Sequence, residues 1–221
     1  MSRGMNKLAL FDCDGTMVDS QANICASMDQ AFKVNGLTSP DHHQIRRIVG
    51  LSLKEAVRQL LPDQEDALVT AVTQSYKDGF FELRQQGGVQ EPLYDGLLDL
   101  IDRLEGDGWM LGVATGKSDR GLNHCLEVHG LSKRFITLQT ADRHPSKPHP
   151  AMVELAISEA GAAVETTAMI GDTSFDMEMG VNAGVRPIGV DWGYHDSDEL
   201  LSAGAHIVAA TMDELYETLN Q

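Results

Sequence analysis

The stretch Lys7-Leu8-Ala9-Leu10-Phe11-Asp12-Cys13-Asp14-Gly15-Thr16 decides how this chain is read. An apolar run ends in two acidic residues and a glycine, the pattern of a buried strand whose carboxyl end opens into a polar loop. The same unit recurs downstream. Trp109 to Ala114 runs into Thr115-Gly116-Lys117-Ser118, Phe135 to Leu138 is a shorter run, and Thr167 to Ile170 leads into Gly171-Asp172-Thr173. Val185 to Val190 and Ala205 to Val208 supply two more. Between the runs lie stretches of helical period: Leu97, Leu98, Ile101 and Leu104; Leu122, Cys125, Leu126 and His129; Met152, Leu155, Ala156 and Glu159. Strand alternating with helix predicts an α/β chain with a parallel sheet covered on both faces. Gly130 and Gly161 fall where helix carboxyl ends favour a left-handed residue, and Ser118, Asp119 and Thr173 are candidate N-caps.

One region breaks the alternation. From about Asp19 to about Gln90 the periodicity is helical, as in Ile24, Met28, Ala31 and Phe32 and again in Val57, Leu60 and Leu61, with no convincing strand. Roughly 70 residues are too many for a plain loop in a compact domain. The expectation is a core built from residues 1–18 and 91–221 and an inserted helical cap over residues 19–90. Gly87-Gly88 and Pro92 would serve as hinges of this lid.

The 221 residues carry a formal net charge of −16, with 42% hydrophobic and 23% charged side chains, as in ordinary globular proteins. Such a field repels phosphate backbones and anionic lipids, so neither a nucleic-acid nor a membrane partner is expected. A small phosphorylated substrate would be repelled as well, and its site must concentrate positive charge locally. The amino-terminal apolar run is too short for a signal peptide, which predicts a cytoplasmic protein. Cys13, Cys25 and Cys125, an odd count without metal-type spacing, suit a reducing compartment and predict no disulfide. On an extended strand end the Cys13 side chain points opposite to Asp12 and Asp14, into the core. The methionines, Met177 and Met179 among them, read as core filling.

In an open parallel sheet, ligands bind beyond the carboxyl ends of the strands. The segments richest in reactive groups all follow expected strands: Asp12 with Asp14, Thr115 with Lys117, Lys147 after the Phe135 run, and Asp172 with Asp176. Like charges about 4 Å apart cost on the order of 4 kcal/mol at an effective dielectric near 20, so such a cluster must protonate, splay or hold a cation. Oxygen-only donors with a phosphate substrate favour Mg²⁺. Lys147 offers a compact positive charge to a phosphoryl group, and Thr115 a hydroxyl donor. A carboxylate nucleophile, a metal and an acid/base together would let a phosphate monoester be cleaved through a covalent intermediate.

Asp12-Cys13-Asp14-Gly15-Thr16, then Thr115, then Lys147-Pro148, then Gly171-Asp172-Thr173-Ser174-Phe175-Asp176, in that order along nearly the whole chain, resemble the four motifs of the haloacid dehalogenase superfamily. The helical insertion just after the first motif resembles its phosphoglycolate phosphatase and β-phosphoglucomutase-like branch, with a cap over a Rossmann-like core. The resemblance implies that Asp12 becomes phosphorylated while Asp14 protonates the leaving oxygen and later activates water. It implies that Thr115 and the Gly116 amide hold phosphoryl oxygens, with Lys147 steadying them. It implies that Asp12, the Asp14 backbone carbonyl and Asp172 bind Mg²⁺, with Asp176 beside them. The presence of Asp14 argues against dehalogenases and phosphonate hydrolases, which lack a carboxylate there.

Some residues stay open. Lys117 reads more readily as exposed than as a phosphate ligand. Arg46, or Arg47 beside it, is a candidate for a substrate's second anionic group. His144, His149 and the segment Trp192 to His195 have no assigned role. The leading expectation is a phosphatase of a small phosphorylated metabolite: phosphoglycolate, a sugar phosphate or a nucleotide. A phosphomutase is the near alternative, and a non-catalytic phosphate- or metal-binding module the distant one, though pure binding would not need Asp14. A monomer is expected, with a dimer the alternative.

Overall fold

The structure is a computed structural model that describes residues 6–221. The amino-terminal reading against a signal peptide rests on residues 1–5 as well and so lies partly outside the described residues. Among those residues six parallel strands form one sheet: β1 (Asn6–Phe11), β2 (Trp109–Thr115), β3 (Thr137–Thr140), β4 (Ala162–Gly171), β5 (Arg186–Val190) and β6 (Ile207–Ala209). Their order is β3-β2-β1-β4-β5-β6. The chain leaves β1 towards β2 and later returns to β1's other side as β4, so the direction of winding reverses beside β1, where such sheets open a crevice.

Alternation in β1 explains why it is central. Leu8 and Leu10 face one apolar cluster with Met152, Val153 and Ala156 of α7 (Ala151–Ala160). Ala9, Phe11 and the following Cys13 face another, with Leu97, Leu100, Ile101 and Leu104 of α5 (Leu97–Gly106). Both faces of the strand are therefore dry, as parallel sheets require. Helices α6 (Asp119–Val128) and α10 (Met212–Leu219) join α5, whereas α8 (Ser174–Ala183) lies on the α7 side and α9 (Ser197–Ser202) flanks the β5–β6 edge.

Four helices, α1 (Gln21–Val34), α2 (His42–Arg46), α3 (Leu53–Leu60) and α4 (Asp66–Gln85), occupy the insertion. They have their own apolar centre, in which Ile24, Met28 and Phe32 of α1 meet Ile45, Val57, Val69 and Val72. The outgoing and returning segments lie side by side: Val18 and Leu93 form an antiparallel bridge, Asp19 N donates to Pro92 O at 2.9 Å, and Tyr94 N donates to Met17 O at 3.1 Å. No described helix is long and apolar enough to cross a membrane.

Several local expectations shift. β3 begins at Thr137 rather than Phe135, and β4 starts at Ala162, five residues before the apolar run, with a register irregularity opposite Asn6–Leu8. Ser118 and Thr173 cap α6 and α8 through their hydroxyls, whereas Asp119 is the first residue of α6 and accepts a bond from Thr140 Oγ1 instead. Gly130 (φ 68°) and Gly161 (φ 58°) are left-handed as expected. Leu98 and Leu155 are exposed, although both sit in apolar patterns. Ile101→Ala, which empties a fully buried site, is expected to lower unfolding free energy by about 2–5 kcal/mol in urea denaturation, and a loss under about 1 kcal/mol would contradict this packing.

Candidate active site

Three carboxylates converge where β1 and β4 end. The pairing Phe11↔Ile170 and the bond from Asp12 N to Ile170 O (2.8 Å) place Asp12 beside Asp172, and the first turn of α8 adds Asp176. One carboxylate oxygen from each lies within 4.8 Å of the others, and all three residues are fully buried. Lys147, from the loop between β3 and α7, reaches in with its Nζ 2.9 Å from Asp12 Oδ1 and 2.6 Å from Asp176 Oδ1.

Each carboxylate is held differently. Asp172 accepts from Thr16 Oγ1 at 2.7 Å and from the Tyr194 amide at 2.9 Å. Asp176 accepts from the Thr173 amide and hydroxyl at 3.1 and 2.6 Å, closing a capping box on α8. Asp12 faces the Lys147 charge, yet neither of its oxygens has a well-aligned hydrogen-bond donor among the described residues. Burial pushes the Asp12 carboxyl up to about 7, with Lys147 pulling against the rise and Asp176 and Asp14 adding to it. Burial, then Asp176 and Asp12, also raises Asp172 well above the usual carboxylate range. Burial disfavours the Lys147 ammonium, but Asp12 and Asp176 outweigh it and keep the group charged.

One ammonium cannot balance three buried carboxylates. The donors are all oxygen, and two lone-pair-rich oxygens of Asp12 lack donors, so the cluster fits a hard divalent cation such as Mg²⁺.

Asp14 stands apart from this cluster. Its Oδ1 accepts from the Ser20 hydroxyl and lies 2.8 Å from Lys117 Nζ, which in turn reaches Glu91 Oε1 at 2.8 Å. Burial works against the Lys117 charge, and Asp14 and Glu91 more than restore it. Thr115, the last residue of β2, accepts from the Lys117 amide at 3.3 Å, which leaves its own hydroxyl proton free to point elsewhere. Asp12, Asp14, Thr115, Gly116 and Lys117 all line a cavity of about 490 Å³ roofed by the helical insertion.

The roof sits close. A Cβ at Gly116 would lie 2.4 Å from the Leu51 carbonyl oxygen, and one at Gly50 2.9 Å from Thr173 Oγ1. Ser52 N donates to Ser146 Oγ at 2.8 Å, and Arg47 pairs with Glu199.

Of the residues singled out from sequence, Asp12, Asp172, Asp176 and Lys147 meet in one cluster, and Asp14, Thr115 and Gly116 share the adjoining cavity. Arg46 is not brought to the cavity wall, and Arg47 is engaged on the surface with Glu199. Lys117 is an exception to the exposed reading, because the carboxylates of Asp14 and Glu91 draw its stem across the cavity floor. Cys13 is buried with its Sγ 4.0 Å from that of Cys125. His144 bonds Gln139 and His149 accepts from the Ala151 amide, so neither serves the cluster.

Sequence reasoning missed Glu91 and Ser20, which carry no motif signal and are found only by proximity, and it gave no role to Thr16 although that residue closes the first motif. It left Trp192 to His195 unassigned. That segment braces Asp172: the Tyr194 amide binds its carboxylate, the His195 amide its carbonyl at 3.2 Å, and Trp192 Nε1 holds Thr16 O at 3.1 Å. A Cβ at Gly193 would stand 2.2 Å from Asp172 Cβ.

A family model described as haloacid dehalogenase-like hydrolase matches residues 9–190, which span the carboxylate cluster, Lys147 and the cavity-lining groups but not the bracing segment Trp192 to His195. The chain belongs to this family. Among its haloacid dehalogenase-like relatives is the probable phosphatase IndB of Dickeya dadantii, 38% identical over 96% of this chain and 92% of that one. A phosphoglycolate phosphatase of Vibrio parahaemolyticus is 26% identical over 96% of each chain. The crystal structure of a predicted phosphatase from Clostridium acetobutylicum superimposes with a TM-score of 0.87 at 25% identity, covering 98% of this chain and 99% of that one. In this haloacid dehalogenase-like chain Gly116→Ala pushes against the Leu51 carbonyl, so it is expected to displace the roof and lower kcat/KM by about 10²-fold. The variant should melt within a few degrees of the wild type, and unchanged steady-state kinetics would show that the roof does not need this approach.

Proposed function

We propose that the chain is a Mg²⁺-dependent phosphatase that hydrolyses a small phosphorylated metabolite through a phosphoaspartyl intermediate on Asp12. The observation that carries this reading is the Asp12 carboxylate: it is fully buried, free of well-aligned donors, pressed against Asp172, Asp176 and Lys147, and open to a cavity that also contains Asp14. The names of the relatives from Dickeya dadantii and Vibrio parahaemolyticus agree with it.

In this mechanism an Asp12 oxygen bonds to phosphorus as the ester oxygen departs with a proton from Asp14. Asp14 then takes a proton from water, which attacks the phosphorus and restores the Asp12 carboxylate. Lys147 holds Asp12 and the phosphoryl oxygens together, while the free Thr115 hydroxyl proton and the Gly116 amide face the phosphoryl group. Lys117 and Ser20 hold Asp14 over the cavity. Asp12, Asp172, Asp176 and the Asp14 backbone carbonyl would hold the Mg²⁺, which when bound supplies positive charge to the phosphoryl oxygens. The functional division follows the same lines, with residues 1–18 and 91–221 as the catalytic core and 19–90 as the cap; the paired segments at Met17–Asp19 and Pro92–Tyr94 support that boundary.

Inorganic phosphate release from a broad panel of phosphate esters tests the reading. Asp12→Asn is expected to cut turnover by at least about 10³-fold, and EDTA to abolish it reversibly. Phosphate release that persists in the Asn variant would falsify the nucleophile assignment. In a thermal melt, Mg²⁺ is expected to raise the wild-type melting temperature and leave that of Asp172→Asn nearly unmoved. Equal shifts in the two proteins would place the ion elsewhere.

A further inference from the structure

One face of α4 turns to the cavity. Thr73, Tyr76, Lys77, Phe80, Phe81 and Arg84 recur at three- and four-residue spacing, and all of them line the cavity that holds Asp12 and Asp14. Tyr76 and Phe80 stack with centroids 5.9 Å apart. The Arg84 guanidinium lies 5.4 Å from the Phe80 ring centroid, and its Nε is buried with no hydrogen-bond partner among the described residues. From the opposite wall, Arg120 on α6 lies over Phe81 at 4.7 Å. Phe81 is nevertheless 39% exposed, a large apolar ring left facing the cavity.

Building on the phosphatase reading, we propose that this stripe receives the leaving group of the substrate, and that the substrate class is a phosphate monoester bearing a flat aromatic or heteroaromatic ring. A ring entering between the two arginine-on-phenylalanine stacks meets aromatic faces and guanidinium planes, both of which attract another π-system. The Arg84 Nε offers a donor to a carbonyl or ring nitrogen on it.

Two other ester classes fit the wall less well. A small carboxylate-bearing phosphate needs a cation beside the phosphoryl group, but Lys117 is committed to Asp14 and Glu91, while the Arg84 and Arg120 guanidiniums lie over Phe80 and Phe81 of α4. A bare sugar phosphate could bond Ser52 or Ser118 of the lining but would leave the faces of Phe80 and Phe81 without a π partner and set part of its polar surface against Ile24, Met28 and Leu53. The volume points the same way, since about 490 Å³ lies within the roughly 300–1,000 Å³ of pockets for drug-sized ligands, far above the need of a two-carbon acid.

The test is kcat/KM for phosphate release from pyridoxal 5′-phosphate and a ribonucleoside 5′-monophosphate, set against ribose 5-phosphate and phosphoglycolate, with acetyl phosphate included as an unselective probe. The ring-bearing esters are expected to lead by at least about tenfold. In Phe81→Ala and in Arg84→Met that ratio should collapse towards one, mainly through a higher KM for the ring-bearing esters. Preference for phosphoglycolate or ribose 5-phosphate, or a ratio unchanged in both variants, overturns the inference and leaves the phosphatase reading standing. No release from any probe, acetyl phosphate included, overturns both.

Discussion

Three fully buried carboxylates opposed by a single buried ammonium form the constraint around which this molecule is built. Like charges at such spacing repel by several kcal/mol even in a moderately polar interior, so the fold must hold them against their own field. It does so unevenly. Asp172 is tied by Thr16 and the Tyr194 amide from two neighbouring loops, and Asp176 by its own helix cap Thr173 and by Lys147, whereas Asp12 is left with only the Lys147 charge. The unbalanced charge is thereby concentrated on Asp12, whose carboxyl burial lifts to about 7.

The demands of that cluster reach outward through backbone geometry. Gly15 has φ 86°, and a Cβ there would stand 2.1 Å from Asp172 Oδ2; Gly193 approaches the same side chain from β5's end. Two glycine-containing turns thus clamp one carboxylate, which explains why the β1 and β5 loops carry such close packing while their strands are ordinary. A second line runs to the helical insertion. Glu91 lies on the segment by which the chain re-enters the core, next to the Asp19–Pro92 pairing, and it holds Lys117, which holds Asp14. The position of the returning segment and that of Asp14 are therefore mechanically connected, so the insertion and the loop after β1 answer to the same ionic chain.

Much of this was legible because short-range pattern and chemistry coincide. Asp12 and Asp172 follow apolar runs that cannot be anything but buried strands, and parallel strands bring their carboxyl ends together whatever the loops do. The long strandless stretch after Asp19 marked the insertion for a similar reason. What failed was local. The β3 strand carries Thr137, Gln139 and Thr140, polar residues whose burial is made tolerable by Glu159 of α7 and Asp119 of α6, so hydropathy pointed to Phe135 and Ile136 instead. Phe135 is buried from the preceding turn while Ile136 is exposed.

The cavity wall was the least legible part, and the contrast between Arg46 and Arg84 shows why. Both are arginines on helices of the insertion, and nothing within their own helices separates them. Arg46 ends a five-residue helix that turns its apolar side to the insertion's centre; Arg84 is the last residue but one of a twenty-residue helix whose final turns line the cavity shared with Asp12. Which of them lines the cavity depends on helix length and on where the Gly50–Leu51 turn lands on Gly116, and both are long-range facts. Asp12, Thr115 and Asp172 sit at or directly after the ends of β1, β2 and β4, where topology fixes them. The cavity's roof sits on the insertion, where one turn of helix more or less would replace the residues that line it while Asp12 stayed in place.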